Sequence, residues 1–208
     1  MSNSSPSRLR VGVLVSGRGT NLQAILDASR EKRISAEVVC VISNKKEAPA
    51  LERAKKDRVP TFVVPYVKGE PAAEAEKKMA AIFRQHQVDL VVLAGFMRIL
   101  TPTFINEFSN RIINIHPALL PAFPGLEAQK QALDYGVKVS GATVHIVDPV
   151  CDGGPILLQD TVPVLENDTV ESLSARILKK EHELLPKAID LFAKNKVHVD
   201  HRKTTLKE

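Results

Sequence analysis

Arg111-Ile-Ile-Asn-Ile-His-Pro-Ala-Leu-Leu-Pro-Ala-Phe-Pro-Gly125 decides how this chain is read. Arg111 to Ile115 is mostly β-branched and apolar, the composition of a buried strand. Pro117 ends the run, because proline cannot donate to a sheet ladder. Asn114 and His116 interrupt the apolar pattern two positions apart, so in a strand both side chains leave on one face. They stand at the C-terminal end of that strand, the edge where open parallel sheets bind ligands. A side-chain amide and an imidazole aimed at one spot supply a hydrogen-bond donor and a proton carrier. That is what acyl transfer needs at its tetrahedral intermediate. The competing reading makes His116 a satisfied structural histidine. Leu119 to Gly125 is too rich in proline for a helix, and the bond before Pro121 is open to either isomer.

Upstream, strands and helices alternate. Val11-Gly-Val-Leu-Val-Ser16 is a short apolar strand, Gly17-Arg-Gly-Thr-Asn21 a glycine turn, and Leu22 to Ala28 a helix with apolar residues at helical spacing. Free amides and the dipole at such a helix start suit a phosphate; Thr20 or Asn21 either caps the helix or meets the anion. The dinucleotide fingerprint is incomplete, since Leu22 stands where its third glycine belongs, and a tight turn without a ligand is the other reading. Glu37 to Ser43 is a second strand, Pro49 to Arg58 a helix, Thr61 to Val64 a strand, and Ala72 to His86 a charged helix with Met79, Ile82 and Phe83 inward. Leu90 to Gly95 suits a strand covered on both faces, and Thr101-Pro102 opens another helix. Downstream come a helix from Leu126 to Tyr135, a strand from Ser140 to Val147, a glycine-proline loop from Asp148 to Pro155, and a strand from Ile156 to Val164. The last strand is antiparallel to its neighbour because the connection is short. Asp168-x-x-Glu171 resembles a capping box for a helix reaching about Lys194. These elements predict a single α/β domain over residues 1–208, with a mainly parallel twisted sheet flanked by helices and an antiparallel C-terminal portion. Residues 1–8 and about 195–208 are expected to be flexible tails.

Composition narrows the function. The chain has 208 residues, 44% hydrophobic and 25% charged, enough for one good core. No apolar run marks residues 1–8 as a secretory signal, and no run of 18 apolar residues suggests a membrane span. Cys40 and Cys151 are too few for a disulfide framework and lack metal-ligand spacing, which fits a reducing cytoplasm. The net charge is +5, yet aromatic residues are only 4% and tryptophan is absent. That combination suits small anionic ligands at least as well as nucleic acid, which wants clustered positive charge with stacking platforms. Mixed charges over residues 45–58 read as a solvated helix face.

Other candidates carry two readings each. Asp152, in a glycine-flanked loop, is either a site acid or a turn former. Cys151 beside it has nothing near in sequence to stabilise a thiolate. His145, mid-strand, reads as packed or as a support for the site. His198 and His201 read as solvated. Glu181 is either a surface acid or a group that reaches a ligand amine or hydroxyl.

Gly17-Arg-Gly-Thr-Asn21, Leu93-Ala-Gly-Phe-Met-Arg-Ile-Leu100, Asn114-Ile-His-Pro-Ala-Leu-Leu-Pro121 and Asp152-Gly-Gly-Pro155 resemble the phosphoribosylglycinamide formyltransferase family. The resemblance runs from about Leu9 to Phe192. It implies a Rossmann-like formyltransferase fold. It also implies transfer of a formyl group from 10-formyltetrahydrofolate, the co-substrate, to the amine of 5-phosphoribosylglycinamide in purine synthesis, with no metal. Asn114, His116 and Asp152 match the family's catalytic set. Gly19, Thr20 and Asn21 match its phosphate turn, and Pro117 and Glu181 its other substrate contacts. Met97, Arg98, Ile99, Leu100, Asn114, Val147 and Asp148 match its folate pocket. The implied partners are these two small molecules, with no nucleic acid and no membrane, for a monomer or homodimer. One departure stands out. Family members often carry a folate-contacting arginine in the loop before the charged helix, whereas Val67-Lys-Gly-Glu-Pro-Ala72 has none and offers Lys68. Rival readings are a formyltetrahydrofolate deformylase, expected to carry a further N-terminal domain, and a methionyl-tRNA formyltransferase, expected to carry a further C-terminal one. A non-catalytic nucleotide-binding module is the third, but would have no use for Asn114, His116 and Asp152 together.

Overall fold

A computed structural model describes residues 8–207; of the tail expected over residues 1–8, residues 1–7 lie outside the described residues, as does residue 208. The elements run β1 (Leu9–Val15), α1 (Thr20–Arg30), β2 (Ala36–Ser43), α2 (Pro49–Lys56), β3 (Thr61–Val63), α3 (Ala72–Gln85), β4 (Leu90–Leu93), α4 (Pro102–Glu107) and β5 (Ile112–His116). They continue with α5 (Ala128–Tyr135), β6 (Val139–Ile146), β7 (Ile156–Pro163), α6 (Val170–Ala193), β8 (Val197–Asp200) and β9 (Lys203–Leu206). Seven strands form one sheet in the order β3-β2-β1-β4-β5-β6-β7. The first five are parallel, and β6 and β7 are antiparallel. The α/β reading and its antiparallel C-terminal portion therefore hold.

Strand order reverses between β1 and β4. Chain leaving β1 crosses to β2, while chain leaving β4 crosses to β5 on the other side, so the connections part at the C-terminal ends and open a crevice. The sheet is covered on both faces. Val11, Val13 and Val15 point into one core with Leu22 and Ile25 of α1 and Leu173, Ile177 and Leu185 of α6. Leu14 points into the other, with Met79 and Phe83 of α3 and Phe104 of α4. In β5, Ile113 and Ile115 belong to the first core and Ile112 to the second. Asn114 and His116 thus continue the α3–α4 face beyond Ile112, by the two-residue period of the strand.

Close packing fixes the first crossover. Gly19 has φ 72°, and a β-carbon there would lie 2.5 Å from the Ala50 β-carbon of α2. Only glycine meets both demands.

Three local expectations need correction. The C-terminal segment is not a frayed tail: β8 and β9 form a hairpin. Val197 and Val199 pack on the first core, and the Thr204 hydroxyl donates to the Ile156 carbonyl at 2.6 Å. A two-residue alternation inside a polar stretch was enough to seat it. The cap of α6 is Thr169, not Asp168. Its side chain accepts from Ser172 N while the Ser172 hydroxyl accepts from Thr169 N, and Asp168 pairs with Arg176 instead. Helix α5 begins at Ala128 rather than Leu126, because Glu127 adopts φ 55° and breaks the helical path.

Gly12 tests the packing between β1 and α3. A β-carbon there would sit 2.5 Å from Phe83 Cε1 and 2.9 Å from Val88 Cγ2. Phe83 is fully buried and has no room to yield. Gly12→Ala is expected to destabilise the fold by about 1–3 kcal/mol, the range for overpacking. A urea titration should show a lower midpoint at unchanged slope.

Candidate active site

The end of β5 places its two polar residues as the strand period requires. His116 is 4% exposed. Its Nε2 donates to the Phe123 carbonyl at 2.8 Å, and its Nδ1 lies 3.4 Å from Asp152 Oδ2. Both ring nitrogens therefore face acceptors. Asn114 pairs across the ladder with His145 of β6, so the two side chains share a face. Asn114 Nδ2 is 3.2 Å from His145 Nε2 and 3.5 Å from Asp152 Oδ1. His145 Nδ1 donates to the Ile146 carbonyl at 3.1 Å. His145 is thus packed in the strand, as one reading has it, and also within reach of Asn114 and Asp152.

Asp152 arrives from the loop after β6. That loop folds tightly back on its own strand: Ile146 N donates to the Pro155 carbonyl at 2.9 Å, and a β-carbon on Gly154 would fall 1.8 Å from the Ile146 oxygen. Asp152 itself has φ 50°. The turn aims its carboxylate at the end of β5, where Gly125 N donates to Oδ2 at 2.8 Å and His145 Nε2 stands 3.5 Å from Oδ1. Burial alone would push this carboxyl up. Hydrogen bonding to His145 and Gly125 N–H and the positive charge of His116 and His145 outweigh burial and pull it down to about 2. The turn itself sets the carboxylate beside the polar residues of β5, so forming the turn and facing His116 are compatible for Asp152.

Sequence reasoning missed the anchor of the loop between β5 and α5. Thr143, opposite His116 in the ladder, donates from its hydroxyl to the Ala118 carbonyl at 2.6 Å and accepts from Leu120 N at 3.1 Å. Gln159 donates to the Leu120 carbonyl, and the Leu120–Pro121 bond is cis. The available signal was Thr143 itself, a buried polar residue amid apolar strand. Cys151 lies 3.7 Å from Asp152 Oδ2, and burial and the Asp152 charge push its thiol up, which opposes a thiolate nucleophile.

The glycine turn forms a second group. Gly19 is the N-cap of α1 and supplies no side-chain cap, so the Thr20 and Asn21 amides open the helix. Asn21 Nδ2 donates to Glu181 Oε2 at 2.8 Å, while its buried Oδ1 has no partner among the described residues. Glu181 is 8% exposed, so the surface-acid reading fails. Burial pushes its carboxyl up, against a smaller opposing effect of the Asn21 hydrogen bond.

A third group follows β4. Met97 is 60% and Ile99 72% exposed, unusual for such side chains, while Leu100 is buried. Arg98 stacks over the Tyr66 ring at 4.9 Å. Met97 N donates to the Ser16 hydroxyl at 2.8 Å, and that hydroxyl donates to Asn44 Oδ1 at 2.6 Å. Ser16 thereby links the end of β1 to the chain after β4. Val147 N donates to the Ile112 carbonyl, and Asp148 accepts from Val150 N, shaping the start of the Asp152 loop. Pro117 follows His116 directly, and Lys68 is exposed on the turn before α3.

Strand ends, an uncapped helix start and a half-buried carboxylate between two imidazoles thus gather at one edge of a Rossmann-like sheet. The chain belongs to the formyl transferase family, which matches residues 9–189. It is 40% identical over 185 residues to the phosphoribosylglycinamide formyltransferase of Escherichia coli, covering 89% of this chain and 87% of that one. It is 43% identical over 194 residues to the trifunctional purine biosynthetic protein adenosine-3 of Bos taurus, covering 93% of this chain but only 19% of that protein. The glycinamide ribonucleotide transformylase 1 structure from Symbiobacterium toebii superposes with a TM-score of 0.97 at 47% identity, covering 100% of this chain and 98% of that one.

Asp152 ionises near pH 2 in the folded protein, against 3.8 for the ordinary side chain. The fold holds the ionised form, so this contribution is complete above about pH 4 and drains away as pH falls through about 2. It amounts to about 2 kcal/mol. Asp152→Asn should lack this part of the acid sensitivity. Unfolding free energies of the two proteins, measured by denaturant between pH 6 and pH 2, should converge as the pH falls.

Proposed function

We propose that this chain transfers the formyl group of 10-formyltetrahydrofolate to the amine of 5-phosphoribosylglycinamide, giving the formylated ribonucleotide and tetrahydrofolate in purine synthesis. One observation carries the reading: Asn114, His116 and Asp152 meet within 3.5 Å at the end of β5. In this proposal the Thr20 and Asn21 amides, with Gly19 keeping the approach clear, hold the phosphate. Pro117 and Glu181 line the rest of the ribonucleotide site. Met97 to Leu100, Val147 and Asp148 line the folate pocket, with Asn114 at its inner end. The partners are these two small molecules rather than nucleic acid or a membrane surface. Residues 1–208 act as one formyltransferase domain, a monomer or homodimer in the cytoplasm.

The chemistry follows from the residues. The amine nitrogen attacks the formyl carbon, and the carbonyl π pair moves onto oxygen. An Asn114 N–H and the His116 Nε2–H, which exchanges its Phe123 acceptor for the substrate oxygen, stabilise that oxyanion. Asp152, 3.4 Å from His116 Nδ1, holds the ring and sets a negative charge beside it. As the intermediate collapses, the C–N bond to the folate breaks, and the departing nitrogen takes the proton given up by the attacking amine. His116, or a water ordered by Asp152, carries that proton. A deformylase would use water as acceptor at the same groups, so dependence on the ribonucleotide separates the two activities.

The test follows formyl loss from 10-formyltetrahydrofolate by absorbance, with and without the ribonucleotide. Loss that requires the ribonucleotide and yields its formylated product is the expected result; equal loss without it would overturn transfer in favour of hydrolysis. Asn114→Ala should lower kcat about a hundredfold or more, the scale of one oxyanion donor. Unchanged turnover would remove Asn114 from the mechanism.

A further inference from the structure

Helix α3 carries one carboxylate on its inner face. Glu76 is 2% exposed and shares that face with Met79, Ala80 and Phe83. Among the described residues its hydrogen-bond partners are all neutral donors. Thr101 N donates to its two oxygens at 3.1 and 3.2 Å, the Thr101 hydroxyl donates as well, and the Tyr66 hydroxyl donates at 3.3 Å. A buried carboxylate without a cation is costly, and breaking its hydrogen bonds costs more. Anchoring a helix to a loop would not require a charge. What this charge gathers is specific: its donors come from the chain after β3 and from Thr101, the residue that closes the Met97–Leu100 segment.

Both donors bear on that segment. Thr101 caps α4 by accepting from Phe104 N, which sets where the segment ends. Tyr66 packs against Phe96, centroids 6.4 Å apart, and carries the Arg98 guanidinium over its ring. Burial and the Glu76 charge both push the Tyr66 phenol up, which keeps it a donor.

We propose that Glu76 is a positioning residue for the formyl folate, holding the Met97–Leu100 backbone and the Arg98 guanidinium in place through Thr101 and Tyr66. This rests on the reading of Met97–Leu100 as the folate segment. Glu76 touches neither substrate and takes no part in proton transfer, so its loss acts on folate binding and spares the ribonucleotide.

Glu76→Gln keeps the shape and removes the charge. KM for the formyl folate is expected to rise about tenfold, the scale of one charge-assisted hydrogen bond. KM for the ribonucleotide, and kcat at saturating folate, should stay within about twofold. Calorimetric titration with tetrahydrofolate should weaken in parallel, a readout independent of turnover. Tyr66→Phe should raise the folate KM in the wild-type background and add nothing in the Glu76→Gln background, the non-additivity of a shared path. Should Glu76→Gln fail to fold, Thr101→Val carries the same test of the folate KM. An unchanged folate KM, or a kcat that falls with both KM values fixed, overturns the proposal. Wild-type protein without ribonucleotide-dependent formyl loss would instead overturn the functional reading beneath it.

Discussion

The site depends on one carboxylate held between two imidazoles. Asp152 sits within 3.5 Å of ring nitrogens from His116 and His145 and accepts from Gly125 N. These partners come from β5, β6 and the loop between β5 and α5, so a single anion ties together three stretches of chain. Each partner has a further duty. His116 reaches back to Phe123, His145 leans on Ile146, and Gly125 closes the proline-rich loop. In a largely buried setting such a network is strong when complete and unfavourable when one member is missing. The sheet is built to complete it: β6 runs antiparallel to β5, which places His145 opposite Asn114 and lets the following loop return to the same spot.

Around that centre, the parallel part of the sheet supplies the approach. The crevice between β1 and β4 exposes the uncapped start of α1 on one side and Met97 and Ile99 on the other. One surface offers backbone donors and the other apolar side chains with a cation. In the proposed function these surfaces meet the phosphorylated sugar and the flat heterocycle respectively. Ser16 joins the two through its bonds to Met97 and Asn44.

Much of this was legible in the sequence for plain reasons. The alternation of short β-branched runs with helical spacing fixes a mainly parallel sheet, and the two-residue period alone puts Asn114 and His116 on one face. The glycine turn before Leu22 marks the open helix start. What escaped was whatever depends on distant chain. Glu181 reads either as a surface acid or as a group that reaches a ligand, and only its cover by α1 through Asn21 removes the first. Glu76 looks like one more charge on a polar helix until Tyr66 and Thr101 are brought to it. The C-terminal hairpin is two short alternating stretches in polar sequence, seated by Val197 and Val199 on a core assembled elsewhere. The α6 cap slipped by one residue because Asp168, Thr169 and Ser172 are all competent cap formers, and the Arg176 partner decides among them.

Gly154 carries a wider consequence. With the Ile146 oxygen 1.8 Å from where its β-carbon would be, even a methyl group must lever the loop away from β6 and take Asp152 with it. Most positions in a protein can drift through a graded series of side chains, each slightly worse or better than the last. This one has no such series. The acid of the site is therefore guarded by a neighbour at which variation is abrupt. Diversity among related chains should be confined to the outer part of the loop, where Val150 and Cys151 face solvent and a change alters the rim of the pocket without moving its centre.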